Sequence, residues 1–196
     1  YPATHERFLG MLGMHGTYQA NMSMHNADLI VAVGARFDDR ITNTPKLFAP
    51  NAKIIHLDVD HSSVSKIIEA NIAVFGQVKN SLQEIIKLLE SKIDLIDSKK
   101  ILPWKEQISN WKSQHGLNHE MYLCETDDSL IMPQAVVQHV YNITDGKAYI
   151  TSDVGQHQMF AAQYYHFDDP RKWINSGGLG TMGFGLPAAM GVKLAF

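Results

Sequence analysis

Cysteine is almost absent from this sequence of 196 residues, which contains only Cys124. A single thiol cannot form a disulfide within the chain, so the sequence fits a reducing compartment and predicts a cytoplasmic protein. An unpaired cysteine of this kind is most simply a buried thiol.

The sequence also lacks an apolar run of the roughly 18 to 20 residues needed to cross a bilayer. Its first residues, Tyr1 to Glu6, show neither an initiator methionine nor the charged-then-apolar layout of a signal peptide. Its last residues, Leu186 to Phe196, predict a helix whose apolar face continues to the final position. We therefore expect no membrane association, and both ends resemble cuts within a longer protein.

Charge is sparse and nearly balanced, since charged residues make up 19% of the chain and the formal net charge is −3. This composition provides no basic surface for nucleic acid. A hydrophobic content of 45% is typical of globular proteins, and the length allows one large domain or two small ones.

Short apolar runs alternate with helical periodicity from residue 26 onward, which predicts parallel strands joined by crossover helices. The predicted strands, the first two of them buried, are Leu29–Val33, Lys53–Asp60 and Ile72–Phe75. One helix is predicted at residues 63–70 after Ser62. A second is predicted to begin at Ser81, whose capping box is completed by Glu84. Residues 1–89 thus predict a Rossmann-like α/β fold with a parallel sheet.

The second half of the chain predicts a linker and another α/β unit. Residues 90–130 form the linker, with one amphipathic helix because Trp104, Ile108 and Trp111 recur at helical spacing after Pro103. Residues 131–196 form the second unit. Its predicted elements are a helix from Pro133 with a buried stripe of Val136, Val137, Val140 and Tyr141, and strands at residues 148–152 and 173–175.

The segment Ser176–Pro187 has five glycines in nine residues between a predicted strand and a predicted helix. Glycine permits positive φ and lets backbone N–H groups approach a ligand. The segment is not a Walker loop, because no Gly-Lys-Ser/Thr follows. It either wraps a cofactor or serves as a structural crossover.

A second glycine-bearing turn, Asp153–Gln158, follows the strand predicted at residues 148–152. A glycine between a strand and a helix directs free N–H groups outward, which suits a diphosphate. Gln156 and His157 add side-chain donors, or are ordinary residues of a first helical turn.

These segments resemble a known family. Val154–Met159 and Ser176–Gly183 are similar to the diphosphate-binding domain of thiamine-diphosphate enzymes, in the form found in acetolactate synthase catalytic subunits. Gly13–Thr17 and Val33–Arg40 resemble the FAD-binding middle domain of the same family. The resemblance covers nearly the whole chain and is weakest from Glu90 to Leu130.

The resemblance implies that residues 1–89 are part of the middle FAD-binding domain and that residues 131–196 are the first part of the thiamine-diphosphate domain. It places FAD along two segments, His15–Arg36 and Asp58–Val78. Their contact residues are His15, Gly16, Thr17, Gly34, Ala35, Arg36, Asp58, Val59, Gly76 and Gln77. It places thiamine diphosphate against Val154, Gly155, Gln156, His157, Gly180 and Met182. Of these, Gly180 and Met182 support the aminopyrimidine ring, and Arg40 lies at the substrate entrance.

Elementary chemistry supports part of this assignment. Asp58 ends the second predicted strand, where an acid accepts hydrogen bonds from a ribose or adenine group, or alternatively caps a helix. Gly34 lets the backbone approach a cofactor, and Arg36 can face a diphosphate. The family usually has Gly-Asp at the position of Gly76-Gln77, so the amide of Gln77 offers hydrogen bonds without charge.

The implied activity is decarboxylation of pyruvate and transfer of its two-carbon unit to pyruvate or 2-ketobutyrate, in branched-chain amino acid biosynthesis. Thiamine diphosphate and Mg²⁺ serve the reaction, and FAD is structural. The family's essential glutamate lies upstream of Tyr1 and its magnesium ligands beyond Phe196. We therefore expect no catalytic or metal-binding residue within this chain, which should be inactive alone. The implied assembly is a homodimer with a small regulatory subunit.

Other interpretations remain open from the sequence. Pyruvate oxidase and glyoxylate carboligase share the scaffold, and a noncatalytic nucleotide-binding module is a hypothesis from another class. His115 and His119 have the spacing of a zinc site but lack a third ligand nearby, so we expect solvated helix residues. Asp38, Asp39 and Arg40 either form a surface ion network or, as the resemblance favours for Arg40, line the substrate entrance.

Overall fold

The computed structural model describes residues 1–95, 97–117 and 131–196, which divide into two compact units. The three-stranded unit consists of Leu12–Met14 and Tyr18–His115. The two-stranded unit consists of Tyr1–Met11, His15–Thr17 and Gly116–Phe196.

Three parallel strands in the order β1-β2-β3 form the centre of the three-stranded unit. Its elements are α1 Tyr18–Asn26, β1 Leu29–Val33, α2 Asp39–Thr42, β2 Lys53–Asp58, β3 Ile72–Phe75, α3 Val78–Glu90 and α4 Leu102–His115, with single 3-10 turns at Pro45–Leu47, Ile93–Leu95 and Ser98–Ile101. The predicted parallel α/β architecture is confirmed, and β1 and β3 have their predicted bounds. Leu57 lies opposite Val33 on one side and Val74 on the other, so β2 is the central strand.

The core of this unit lies on one face of the sheet. It consists of Ile30, Ala32, Phe37, Ala49, Ile54 and Ile68. Because side chains alternate along a strand, β1 directs Leu29, Val31 and Val33 to its other face, where they are exposed. The prediction that β1 is buried throughout is therefore wrong. In β2, by contrast, the side chains of His56 and Leu57 are both completely buried.

The segment after β2 differs from the sequence prediction. The strand ends at Asp58 rather than Asp60, and residues 63–70 form turns, bends and irregular chain instead of a helix. The Asp60 carboxylate accepts hydrogen bonds from the Ser62 N–H at 2.9 Å and from the Ser63 hydroxyl at 2.8 Å. The Ser62 hydroxyl, the Ser62 N–H and the Ser63 hydroxyl together lower the pKa of Asp60. The predicted helix is interrupted at Ser65, whose φ of 59° lies outside right-handed helical geometry.

Two helices also differ from the sequence prediction. Helix α3 begins at Val78, so Ser81 lies inside it and donates its N–H to the carbonyl of Gln77 at 3.0 Å. The predicted capping box at Ser81 is wrong, because helical geometry is already established one turn earlier. Helix α1 was not predicted, since its packed side chains include the polar Gln19 as well as Ala20.

The predicted amphipathic helix of the linker is present as α4, with Trp104 and Trp111 meeting edge to face at 5.8 Å. It packs along α1, where the His115 ring lies 4.3 Å from that of Tyr18. His115 is exposed, as predicted. His119 and Cys124 lie outside the described residues.

The two-stranded unit has one parallel pair, in which Thr151 lies opposite Ile174. Its elements are α5 Pro133–Thr144, β4 Ile150–Ser152, α6 Gln156–Tyr164, β5 Trp173–Asn175 and α7 Gly185–Ala195. Strand β4 begins two residues later than predicted. The N-terminal segment joins this unit because the Asp168 carboxylate accepts from the N–H and hydroxyl of Thr4 at 2.9 and 2.8 Å.

Aromatic residues dominate the packing of the two-stranded unit. Tyr164 and Tyr165 are buried, and the ring of Tyr165 meets that of Tyr141 edge-on at 5.3 Å. Helix α5 contacts α6, and its one fully buried residue is Gln138. Val136 and Val140 are exposed, so the predicted buried stripe is wrong at these two positions. No helix among the described residues is long and apolar enough to cross a membrane.

We predict that Leu57→Ala destabilises the protein by about 2–5 kcal/mol, because it removes a side chain that is 0% exposed in the central strand and leaves a cavity. Leu47→Ala is the matched control, since the same atoms are removed from a side chain that is 68% exposed. The free energy of unfolding from urea titration measures both. Equal losses in the two variants would contradict the packing described here.

Candidate cofactor-binding site

The two glycine-bearing turns identified in the sequence follow neighbouring parallel strands. The turn after β4 begins at Asp153, and the longer loop after β5 runs from Ser176 to Phe184. Within that loop Gly180 donates its N–H to the Ser176 carbonyl at 2.8 Å, and Thr181 donates to the Ser176 hydroxyl at 3.0 Å. Because the carboxyl ends of parallel strands lie at one edge of a sheet, both turns emerge together.

Asp153 joins these two turns directly. Its Oδ1 accepts from the N–H of Val154 at 2.8 Å and of Gly183 at 2.9 Å, and its Oδ2 accepts from Gly183 at 2.8 Å. Backbone N–H donors at Val154, Gly183 and Gly185 hold the pKa of Asp153 below its usual range, against the opposing effect of partial burial. One carboxylate therefore fixes the glycine-rich loop to the end of β4.

No local sequence pattern assigns a role to Asp153. Its position at a strand end, two residues before Gly155, is the local signal that points to it. Its hydrogen-bond partner Gly183 lies 30 residues along the chain, however, and no local pattern specifies that pairing.

Close backbone approach explains one glycine of this loop, and a positive φ explains another. A Cβ at Gly185 would lie 2.7 Å from the Asp153 backbone nitrogen, so any side chain there would push the loop away. Gly183 has φ of 80°, a conformation that side chains disfavour, while it donates to Asp153. Glycine at positions 183 and 185 is therefore required for the loop to reach Asp153.

The start of α6 has the donor groups that an anion requires. The Gly155 carbonyl accepts from the N–H groups of Gln158 and Met159, so those of Gln156 and His157 precede the first intrahelical bonds. Both side chains are exposed at this nine-residue helix. On the facing loop the Met182 side chain is 80% exposed and free to cover a flat ring. These residues fit a diphosphate joined to an aromatic ring system.

In the three-stranded unit, the structure places Gly34, Asp58 and Gly76 at the carboxyl edge of the sheet. Gly34 donates its N–H to the Leu57 carbonyl at 2.8 Å, and Gly76 donates to the Asp58 carbonyl at 3.1 Å. Gly34 has φ of 61°, and its missing Cβ would lie 3.9 Å from Val78 at the start of α3. This edge therefore has the open backbone expected of a nucleotide-binding sheet.

Asp58 caps the turn of its own loop. The side chain is almost completely buried, and its Oδ1 accepts from the Asp60 N–H at 2.8 Å. The neighbouring Val59 is exposed, as is Gln77, which precedes α3 without a side-chain hydrogen bond to the helix. The helix-capping alternative for Asp58 is therefore wrong, because the bond closes a two-residue turn.

The charged residues near this edge have separate partners. The Arg36 guanidinium is exposed and pairs with the Asp38 carboxylate at 2.6 Å, while Ala35 packs against the core. Arg40, in α2, is exposed and lies 3.9 Å from the Met14 sulfur. No carboxylate in the described parts of the chain pairs with Arg40, so it does not belong to a surface ion network.

The predicted flavin residues His15, Gly16 and Thr17 belong to the two-stranded unit. The Thr17 hydroxyl donates to the Leu9 carbonyl at 2.5 Å and its side chain is buried. The His15 carbonyl accepts from the Gln163 side chain at 2.7 Å, while its ring is exposed. Thr17 therefore shapes this segment, and His15 is the residue whose side chain is available.

Comparison with known proteins agrees with this geometry. Residues 1–85 match the thiamine pyrophosphate enzyme central domain, and residues 153–196 match the C-terminal TPP binding domain of the same enzymes. The chain belongs to the thiamine pyrophosphate enzyme family. The second match begins at Asp153, the residue that joins the two glycine-bearing turns of this family member.

Several acetolactate synthase large subunits are similar to this family member over its whole length. It is 54% identical to the acetolactate synthase large subunit of Buchnera aphidicola subsp. Schlechtendalia chinensis and 53% identical to the isozyme 3 large subunit of Escherichia coli K12. It is 42% identical to the chloroplastic acetolactate synthase of Arabidopsis thaliana. The chain spans about a third of the length of these curated relatives, namely 33%, 33% and 28%.

We predict that Asp153→Asn loosens the glycine-rich loop, because the neutral amide replaces one acceptor oxygen by a donor and weakens the bonds from Gly183 and Gly185. Amide hydrogen exchange of residues 180–185 at pH 7 should become at least several-fold faster. Asp145→Asn, which removes an exposed carboxylate paired with Lys147 in the same unit, should leave this exchange unchanged. Unaltered exchange in the Asp153 variant would refute the conclusion that Asp153 fixes the glycine-rich loop.

The same contact predicts a pH dependence. A carboxylate with a lowered pKa stabilises the folded loop above the ordinary aspartate pKa of about 3.9 and loses that effect as the pH falls through the lowered value. Protection factors of the Gly183 amide should therefore stay constant from pH 7 to about pH 4 and decline below it. The Asp153→Asn protein should show no such step, and a decline between pH 5 and 7 would contradict the assignment.

Proposed function

We propose that this chain acts as part of an acetolactate synthase catalytic subunit. This transferase decarboxylates pyruvate and joins the two-carbon unit to pyruvate or 2-ketobutyrate in branched-chain amino acid biosynthesis. The observation that carries the proposal is the contact made by Asp153. Its carboxylate accepts hydrogen bonds from the two glycine-bearing turns at the ends of β4 and β5. The names of relatives at 50–54% identity support the choice of this enzyme within the family.

The residues at these turns are assigned to thiamine diphosphate, which when bound supplies the electron sink for decarboxylation. The N–H groups and side chains of Gln156 and His157 hold the diphosphate at the start of α6, where the helix dipole favours an anion. Val154 and Gly155 allow its close approach. Gly180 and Met182 support the aminopyrimidine ring, because the exposed thioether offers an apolar, polarisable surface.

FAD is assigned to the carboxyl edge of the three-stranded sheet. The family resemblance separately assigns flavin contacts to His15, Gly16 and Thr17, which belong to the two-stranded unit. Gly34 and Gly76 let the protein backbone approach the cofactor closely, and Asp58 accepts hydrogen bonds from a ribose or adenine group. Arg36 faces the diphosphate when it exchanges its Asp38 partner for the phosphate oxygens. Ala35, Val59 and the uncharged Gln77 complete the contacts. The role of FAD is structural, and Arg40 with its unpaired charge lies at the entrance for the anionic substrate.

Metal binding, catalysis and subunit assembly are assigned to the whole enzyme. The described residues contain no group of three His, Cys, Asp or Glu side chains able to hold a metal ion, so Mg²⁺ is assigned to no residue here. The catalytic glutamate is likewise assigned to another part of the subunit, and the chain by itself is expected to be inactive. We propose a cytoplasmic homodimer that binds a small regulatory subunit.

We expect the large subunit that contains this chain to convert pyruvate to acetolactate when supplied with thiamine diphosphate, Mg²⁺ and FAD. Gln156→Ala should weaken thiamine diphosphate binding about tenfold or more, because it removes a hydrogen bond to a charged group. Gln107→Ala, on an exposed turn of α4, is the matched control and should bind the cofactor normally.

Product analysis and cofactor titration decide the outcome. Acetyl phosphate with hydrogen peroxide would instead identify a pyruvate oxidase, and the absence of any turnover with intact cofactor binding would favour a noncatalytic module. Equal cofactor affinities of the two glutamine variants would reject the site assignment.

A further inference from the structure

His56, in the middle of β2, is a fully enclosed polar residue. The side chain is 0% exposed, and among the described residues neither ring nitrogen has a hydrogen-bond partner. The ring of Phe37 meets it edge-on at 5.2 Å. A neutral imidazole has one N–H donor and one acceptor, and leaving a buried donor unpaired is unfavourable. Filling the core does not require an imidazole at this position.

The carboxylate of Asp58 lies close to this ring. Residues two apart on a strand point to the same face, and the Nε2 of His56 lies 3.8 Å from the Oδ2 of Asp58. This distance is within reach of an ion pair but longer than a hydrogen bond, so a shift of about 1 Å would close it. The other oxygen, Oδ1, is already held by the Asp60 N–H. Asp58 itself is 8% exposed.

We propose that His56 is a positioning residue for Asp58. In the cofactor-bound enzyme its Nε2–H donates to Oδ2, so the carboxylate is fixed through both oxygens and presents its remaining lone pairs to a ribose diol at the sheet edge. The unpaired nitrogen is then Nδ1, an acceptor, which is less unfavourable to bury than an unpaired N–H. This inference rests on the proposed binding of a flavin dinucleotide at this edge.

Burial makes this arrangement effective. Close packing around a ring that is 0% exposed and lies against Phe37 restricts its rotation, so the direction of its N–H is restricted as well. A carboxylate held from two sides loses little freedom when a ligand binds, and pre-organisation of this kind favours affinity. Packing alone, in contrast, predicts that an aromatic residue of similar volume would replace His56 without effect on any ligand.

The test compares FAD with FMN, which lacks the adenosine part of FAD and therefore its ribose diol. In the large subunit that contains this chain, His56→Phe and Asp58→Asn should each weaken FAD binding by about tenfold and leave FMN binding unchanged. His56→Gln, whose amide can reach the position of Nε2, should retain FAD affinity within about threefold. His56→Asn, which is too short to reach it, should behave like His56→Phe. His25→Phe is the matched control on an exposed surface.

Fluorescence titration gives both dissociation constants, and thermal unfolding checks each variant. If His56→Phe does not fold, the His56→Gln and His56→Asn pair provides the comparison. The double variant His56→Phe/Asp58→Asn should bind FAD no worse than Asp58→Asn alone, because the two residues act through one contact. An unchanged ratio of FAD to FMN affinity in the His56 variants would overturn this inference alone. A wild-type protein that binds no FAD would reject the flavin proposal together with it.

Discussion

Parallel strand pairing is the constraint on which the rest of this structure depends. In each unit it aligns the carboxyl ends of neighbouring strands, so residues far apart in sequence arrive at one edge. Gly34 and Gly76, which are 42 positions apart, bond to the consecutive residues Leu57 and Asp58 of the central strand. Neither glycine would take part in a site without that register, because each is an ordinary turn residue by its local sequence.

A glycine-rich loop needs an anchor from elsewhere in the chain. Glycines allow close approach of the backbone, but they have no side chains with which to fix it, and their conformational freedom is large. The Asp153 carboxylate supplies the anchor by accepting N–H groups from both turns. The glycines and the aspartate thus have different roles. The glycines allow the required backbone angles, and the single charged acceptor, Asp153, selects one conformation.

The sequence predicted the strands better than the helices, and the reason is physical. Apolar β-branched runs such as Leu29–Val33 fit few environments other than a sheet, and the structure confirms this strand and Ile72–Phe75. The error at residues 63–70 arose because Ser65 adopts φ of 59°, a left-handed conformation that interrupts a right-handed helix and that local periodicity does not reveal. The exposure of Val136 and Val140 followed from which helix face meets α6. That choice depends on tertiary packing and is absent from local periodicity.

The same limit separates the parts of the candidate site that were predictable from those that were not. Glycine content and the strand-to-helix order identify the two turns, since those properties are local. The role of Asp153 depends on an oxygen and a nitrogen that meet only after folding, across 30 residues of sequence. The role proposed for His56 depends on burial in the folded core and on a carboxylate 3.8 Å away on the same face of β2. In both, an aspartate at a strand end must be held by other groups before it can order a loop or face a ligand. Exposed backbone N–H groups hold Asp153, whereas the partner offered to Asp58 is a buried side chain, so a substitution in the core of β2 is expected to act on ligand contacts at its edge.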